Sequence, residues 1–250
     1  MTRLALVTGT SRGIGTAVAL ELLGRGWRVQ GLARGEAPAA LGDKGYEHRR
    51  LDLADLSALE HWFEGEFAPR LEQVGATRVG LVNNAALLAP VGPATALVAS
   101  ELANHLAVNV VAPTWLAGAL LRRVPRAAVL RVVNLSSGAA TSAYAGWSAY
   151  CAGKAALAMT GEVLALESEA YPELAGRDLS VVTYAPHVVA TRMQEELRGT
   201  PAELFPLHQR FVDLEQSGAL VTPEGPAAEI ADLLERDDLP RHMVARYEPD

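Results

Sequence analysis

The chain of 250 residues contains one cysteine, Cys151. A single thiol excludes an intrachain disulfide and a cysteine-based metal centre, and it fits a reducing cytosol. The six histidines, at 48, 61, 105, 187, 208 and 242, show no metal-ligand spacing, so no metal site is expected. A formal net charge of -7 comes without any run of like charges, and the arginines are scattered. Neither a nucleic-acid stripe nor a polybasic membrane patch is therefore expected. No stretch approaches about 18 uninterrupted apolar residues, and the opening MTRLALVTGT has no long apolar h-region. These readings point to a soluble, cytoplasmic protein without nucleic-acid or membrane partners.

Half of the residues are apolar, enough to bury one large core. Short apolar runs recur at Leu4 to Val7, Trp27 to Leu32, Val79 to Val82, Val129 to Leu135 and Leu179 to Tyr184. Longer segments with helical periodicity lie between them, at Ala17 to Leu23, Leu56 to Leu71, Leu102 to Leu121 and Ala149 to Leu166. Strands that are apolar on both faces, alternating with helices, predict a single α/β domain over 1–250: a doubly wound (Rossmann) parallel sheet with helices on both faces. Arg192 to Gln216 reads as two helical pieces broken at Gly199-Thr200-Pro201, long enough to be a substrate lid or else a peripheral helical segment.

At the first strand-to-helix junction stands TGTSRGIG, residues 8–15. Glycines at 9, 13 and 15 permit a tight turn and let backbone N–H groups at a helix N-terminus approach a pyrophosphate, whose charge the helix dipole favours. A dinucleotide is the expected ligand. At the end of the second strand, where a carboxylate would bind the ribose 2′-OH of NAD, the sequence is Gly31-Leu-Ala-Arg-Gly35. Arg34, with Arg12 in the glycine turn, favours the 2′-phosphate of NADP; the competing reading is two solvated surface arginines, and Glu36 lies close by.

In GWSAYCAGKAA, residues 146–156, Tyr150 and Lys154 stand at i and i+4, on one helical face. With TGTSRGIG, Leu51-Asp52-Leu53 after the third strand, Asn83-Asn-Ala-Ala86 after the fourth, Asn109 in a helix and Ser136-Ser137 after the fifth, this pair forms an ordered set. The set resembles the short-chain dehydrogenase/reductase family over nearly the whole chain.

The resemblance implies that Gly9, Ser11, Arg12, Gly13, Ile14 and Gly15 wrap the cofactor phosphates. Asp52 and Leu53 would flank the adenine, and Asn84 and Ala85 would line the ribose. Ser137, 13 residues before Tyr150, would be the catalytic serine, with Ser136 supporting the turn. Asn109 would hold a water beside Lys154. Ala185-Pro186-His-Val-Val189-Ala-Thr191 resembles the segment that contacts the nicotinamide. The expected chemistry is reduction of a carbonyl by NADPH: Tyr150 gives a proton to oxygen, Ser137 hydrogen-bonds that oxygen, and Lys154 binds the ribose and relays a proton. Lys154 and the oxidised nicotinamide are expected to lower the tyrosine pKa by roughly 2 to 3 units from a reference near 10.

A narrower likeness is to sepiapterin reductases and bacterial benzil reductases, which implies a bulky or aromatic 1,2-diketone as substrate. General ketone or alcohol oxidoreduction, and an NADP(H)-binding redox sensor without chemistry, are the alternatives. The chain departs from the family at His187, where glycine is usual, so its imidazole either enters the pocket or is inert. Where sepiapterin reductases hold the pterin with a carboxylate, the matching residue is Ala245. Trp147 either lines the substrate cleft or packs, and Met193 is expected over the substrate. The small and apolar residues of 103–121 and 149–166 suit either core burial or helix pairing in a homodimer or homotetramer.

Overall fold

A computed structural model describes residues 2–42 and 44–249. Seven strands run parallel in one sheet: β1 (Arg3–Thr8), β2 (Arg28–Ala33), β3 (Tyr46–Arg50), β4 (Arg78–Asn83), β5 (Val129–Leu135), β6 (Leu179–Ala185) and β7 (His242–Arg246). Their spatial order is β3-β2-β1-β4-β5-β6-β7. The order reverses between β1 and β4, so the crevice for a ligand opens beyond the carboxyl ends of those two strands. Both strands deliver their motifs there: TGTSRGIG follows β1 and NNAA begins at the end of β4.

Alternation along the strands divides the core. Leu4, Leu6, Val79, Leu81, Leu130 and Val132 face α2 (Leu56–Trp62), α3 (Ala68–Val74), α5 (Ala112–Arg123) and α6 (Ser148–Ala170), with Phe63, Phe67, Leu116 and Leu120 packed among them, and α4 (Ala99–Leu106) packs on α6. Ala5, Val7, Val29, Val82, Val133 and Val182 face the other way, against Val18, Ala19 and Leu22 of α1 (Gly13–Gly24) and Ile230 and Leu234 of α9 (Glu224–Glu235). Successive side chains in a strand point to opposite faces, so central strands must be apolar throughout. Edge strand β3 escapes that requirement and reads YEHRR, which is why no apolar run announces it.

The segment 192–216 forms two helices, α7 (Arg192–Arg198) and α8 (His208–Gln216), joined by a connection that begins at the predicted Gly199-Thr200-Pro201 break. Phe205 in that connection and Leu197 and Phe211 in the helices join Trp147 and Tyr150 in a third, smaller apolar cluster. Among the described residues, no helix is long and apolar enough to cross a membrane.

Candidate active site

One continuous cleft of about 750 Å³ follows the carboxyl ends of the strands. Gly9, Ser11, Arg12, Gly13 and Ile14 line one end, Arg34, Asp52 and Leu53 a side wall, and Asn84 and Ala85 the middle. Ser137, Trp147, Tyr150 and Lys154 line the far end, with Pro186, His187, Val189, Thr191 and Met193 opposite. Residues separated by more than 180 positions in the chain thus share one wall system.

The glycine turn is held from below. Asn84 Nδ2 donates to the Thr8 carbonyl at 2.8 Å and the Gly9 carbonyl at 3.3 Å, while Thr8 Oγ1 accepts from the Asn84 and Ala85 amides at 3.0 Å each. Asn84 is therefore a clasp between β4 and the turn as well as a cleft residue. Gly15 does not reach the cleft: a Cβ there would stand 2.3 Å from the Gly9 carbonyl oxygen, so its role is to let α1 pack under the turn. That corrects the expectation that it wraps phosphates directly. What remains exposed to the cleft is backbone at the start of α1, where a dipole and free N–H groups favour an anion. A pyrophosphate fits this cradle.

At the end of β2, Arg34 is 59 % exposed and stands 3.9 Å from Asp52. Glu36 is turned away, paired with Arg50 at 2.7 Å. Among the described residues of the loop after β2, Glu36 is the one carboxylate, and Arg50 engages it.

At the far end, the extended Ser137 caps the short 3-10 turn Gly138–Ala140, its Oγ accepting from the Ala139 amide at 3.2 Å. The Ser136 amide donates to the Tyr184 carbonyl at 2.6 Å, carrying the β5–β6 pairing up to the turn. Tyr150 and Lys154 share a face of α6, with Nζ 5.7 Å from the ring centroid. Lys154 is buried and donates to the Leu135 carbonyl at 2.6 Å. Burial pushes the Tyr150 phenol up to about 12, with Ser137's hydrogen bond acting against it, and brings the Lys154 ammonium down to about 8. The expected lowering of the tyrosine is not met in the chain by itself. Desolvation opposes the charged form of both groups and is the largest influence on each. The result is a protonated phenol, which is the form an acid needs.

Asn109 lies in a π-helical segment, Ala107–Val111, between α4 and α5. Its Nδ2 donates to the Leu87 carbonyl at 2.8 Å and faces His105 Nε2 at 2.9 Å, and its Oδ1 accepts from the Leu87 amide at 2.8 Å. Both amide hydrogens are thus committed to protein groups.

The 192–216 segment approaches the same end. Met193 Sδ stands 3.9 Å from the Tyr150 hydroxyl, and Trp147, 5 % exposed, sits between Tyr144, Phe205 and Phe211. Cys151 points elsewhere, its Sγ 3.6 Å from the Ser142 carbonyl. Four further residues belong here that the motifs did not mark. Tyr144, Phe211 and Leu214 line the cleft, as does Arg246 at the end of β7. His105 supports it from behind. Phe211 and Leu214 show only as an i, i+3 apolar pair within the lid, and Arg246 is one residue beyond Ala245.

The short chain dehydrogenase family model matches residues 3–202. A benzil reductase ((S)-benzoin forming) from Bacillus cereus is 32 % identical over 254 residues, covering 98 % of this chain and 99 % of that one. A sepiapterin reductase from Xenopus laevis is 34 % identical, covering 94 % and 91 %. The crystal structure of a short-chain dehydrogenase/reductase from Burkholderia vietnamiensis superposes with a TM-score of 0.67 at 36 % identity, covering 80 % of this chain and 93 % of that one. With the cleft, the strand order and the motifs in agreement, the chain belongs to the short-chain dehydrogenase family, as an oxidoreductase acting between CH–OH and C=O with a nicotinamide cofactor.

Proposed function

We propose that the protein is an NADPH-dependent carbonyl reductase that reduces one carbonyl of a bulky or aromatic 1,2-diketone. The observation that carries this reading is the aromatic wall of Tyr144, Trp147 and Phe211 beside Ser137 and Tyr150 in one cleft. Flat aromatic faces next to a hydroxyl pair suit an aryl ketone whose carbonyl oxygen must reach Tyr150. Similarity to proteins named benzil reductase supports the same substrate class. A pterin is disfavoured, because the β7 residue in the cleft is Arg246 and its neighbour is Ala245, so no carboxylate stands there.

When bound, NADPH supplies a hydride to the carbonyl carbon. Tyr150, held protonated by burial, gives its proton to the carbonyl oxygen, so the pair of transfers yields an alcohol. Ser137 donates a hydrogen bond to that oxygen as negative charge develops. Lys154, with its pKa brought down to about 8, holds a proton next to the phenolate that remains. NADP over NAD rests on Arg34 and Arg12 with Glu36 turned away.

The protein acts in the cytoplasm as a homodimer or homotetramer, through the exposed Val111, Met159, Val163 and Leu166 of the π segment and α6. An NADPH-oxidation assay on benzil, smaller diketones and sepiapterin, run beside Tyr150→Phe, tests the reading. Turnover of benzil that Tyr150→Phe abolishes is expected. A protein that binds NADPH and turns over none of these carbonyls would fail it, and full activity in Tyr150→Phe would remove Tyr150 from the chemistry.

A further inference from the structure

Helix α6 packs against α4 and the π segment, and its closest neighbour there is a histidine that the proposed reaction does not use. His105 occupies the last turn of α4, four residues before Asn109, and is fully buried. A Cβ on Gly153, between Tyr150 and Lys154 in sequence, would stand 3.1 Å from His105 Nε2 and 3.4 Å from Asn109 Cβ. The imidazole and the Tyr150 ring meet in a T-shaped arrangement, with ring centroids 6.4 Å apart at 80°.

Its protonation follows from its partners. His105 Nδ1 lies 2.7 Å from the Ala89 carbonyl oxygen, which can only accept, so Nδ1 carries the hydrogen. Nε2 faces Asn109 Nδ2, which can only donate, so Nε2 presents its lone pair. The orientation of the Asn109 amide is fixed independently. Turning it over would set Oδ1 against the Leu87 carbonyl and Nδ2 against the Leu87 amide, two clashes in place of two hydrogen bonds. The groups around the ring keep it neutral: burial lowers its pKa and the nearby Lys154 ammonium adds to that, against the Ala89 and Ala149 carbonyls.

We infer that His105 is a positioning residue for the carbonyl chemistry, a neutral Nδ1–H imidazole that fixes Asn109 and ties the 87–89 stretch to the Tyr150–Lys154 face of α6. Ala89 is held by Nδ1, and Leu87 is held through Asn109 at both its amide and its carbonyl. Leu87 lines the same cleft as Tyr150 and Lys154. The inference rests on the reductase reading for its consequence in turnover, and on the hydrogen bonds for the tautomer.

Two substitutions separate the tether from simple packing. His105→Phe keeps a ring of similar size without the Nε2 acceptor, and His105→Gln restores an acceptor at a similar reach. The expected result is a kcat lowered about tenfold or more in His105→Phe, with cofactor KM within about twofold, and most of that loss recovered in His105→Gln. Wild-type kcat in His105→Phe, or no recovery in His105→Gln, would overturn the role. Nitrogen-15 NMR of histidine-labelled wild-type protein near pH 7 gives a readout that needs no variant. It should report the Nδ1–H tautomer, and an Nε2–H tautomer or an imidazolium would overturn the assignment. Wild type that reduces no carbonyl yet shows the Nδ1–H tautomer would support the tether while sinking the reductase reading.

Discussion

Phe205 lies flat on Trp147, with ring centroids 4.8 Å apart and planes 9° from parallel. Phe205 comes from the connection between α7 and α8 and is nevertheless fully buried, so the 192–216 segment is anchored by a ring inserted at the start of α6. Gly146 makes room for it: φ is +86°, and a Cβ there would stand 2.5 Å from the Leu204 carbonyl oxygen. Truncating a buried phenylalanine typically costs about 3 to 5 kcal/mol. In Phe205→Ala that cost should appear as local opening, because the stack joins the 192–216 segment to the body and leaves the sheet untouched. Hydrogen exchange is expected to rise in 192–216 while β1, β4 and β5 keep their protection. KM for an aryl diketone should rise, with cofactor affinity unchanged. A uniform loss of protection across the sheet would show that the stack supports the whole fold instead.

His187 follows from backbone geometry. Its φ is +66°, and it is the one non-glycine residue with positive φ among the described residues. The left-handed region costs an L-residue about 1 to 2 kcal/mol, though histidine is among the residues that tolerate it better. His187→Gly removes the strain and returns part of the gain through a more flexible unfolded chain. The melting temperature should therefore rise by about 2 °C or less. His187→Val, β-branched at the same φ, should fall by several degrees. Because His187 lines the cleft, His187→Gly should also raise kcat/KM for the bulkier diketones relative to small ones. An unchanged ratio across substrates would make the imidazole a bystander.

The sheet and phosphate cradle were legible because each follows from a rule acting over a few residues. Central strands must be apolar on both faces, and a tight turn under a helix start requires glycine, so Leu4 to Val7 and TGTSRGIG announce themselves. Edge strand β3 has no such requirement, and its YEHRR reads as surface. Phe205 carries no local signal either, since it is buried by Trp147, 58 positions earlier, and not by any periodicity of its own segment. His105 was visible only as a histidine without metal spacing. Its meaning needs Ala89, Asn109 and Gly153 in one place, which is information about packing and not about sequence spacing. The phenol's pKa in the chain without cofactor was hidden for a related reason: the Tyr150–Lys154 spacing tells of attraction, whereas only the fold tells how completely both groups leave water.

Arg34 gives a prediction on cofactor choice. It is solvent-exposed and faces Asp52 at 3.9 Å, while Glu36 is engaged by Arg50. A charge-assisted hydrogen bond is worth about 1.5 to 3 kcal/mol, so Arg34→Ala should weaken NADPH binding by about ten- to a hundredfold and leave NADH within about twofold. The difference should shrink with added salt, since the site is open to counterions. Asp52→Asn, which removes the neighbouring carboxylate, should tighten NADPH. Fluorescence titrations of both cofactors at low and high salt measure all three. Equal loss of both cofactors in Arg34→Ala would mean that the guanidinium does not read the 2′ position.

Lys154 gives the last prediction, a dependence of stability on pH. Burial brings its pKa down from 10.5 to about 8 in the folded chain. Below about pH 8 both folded and unfolded states hold the proton, and the penalty of burying the charge is fully present. Between about 8 and 10.5 the unfolded chain binds more protons, so stability from this residue rises with pH until the penalty is gone. Tyr150 runs the other way. Its pKa is raised from 10.0 to about 12, so it contributes stability below about pH 10 that is lost as pH climbs through about 12. Lys154→Met, which keeps an unbranched apolar chain, should therefore exceed wild type in stability near pH 7, less whatever the unpaired Leu135 carbonyl costs. The excess should shrink steadily from about pH 8 to 10, a window in which Tyr150 is protonated in the folded chain. Urea unfolding of both proteins without cofactor across that window measures it. A difference that stays constant from pH 7 to 10 would show that the buried ammonium titrates like an exposed one, and burial would then not be what sets the protonation of the catalytic pair.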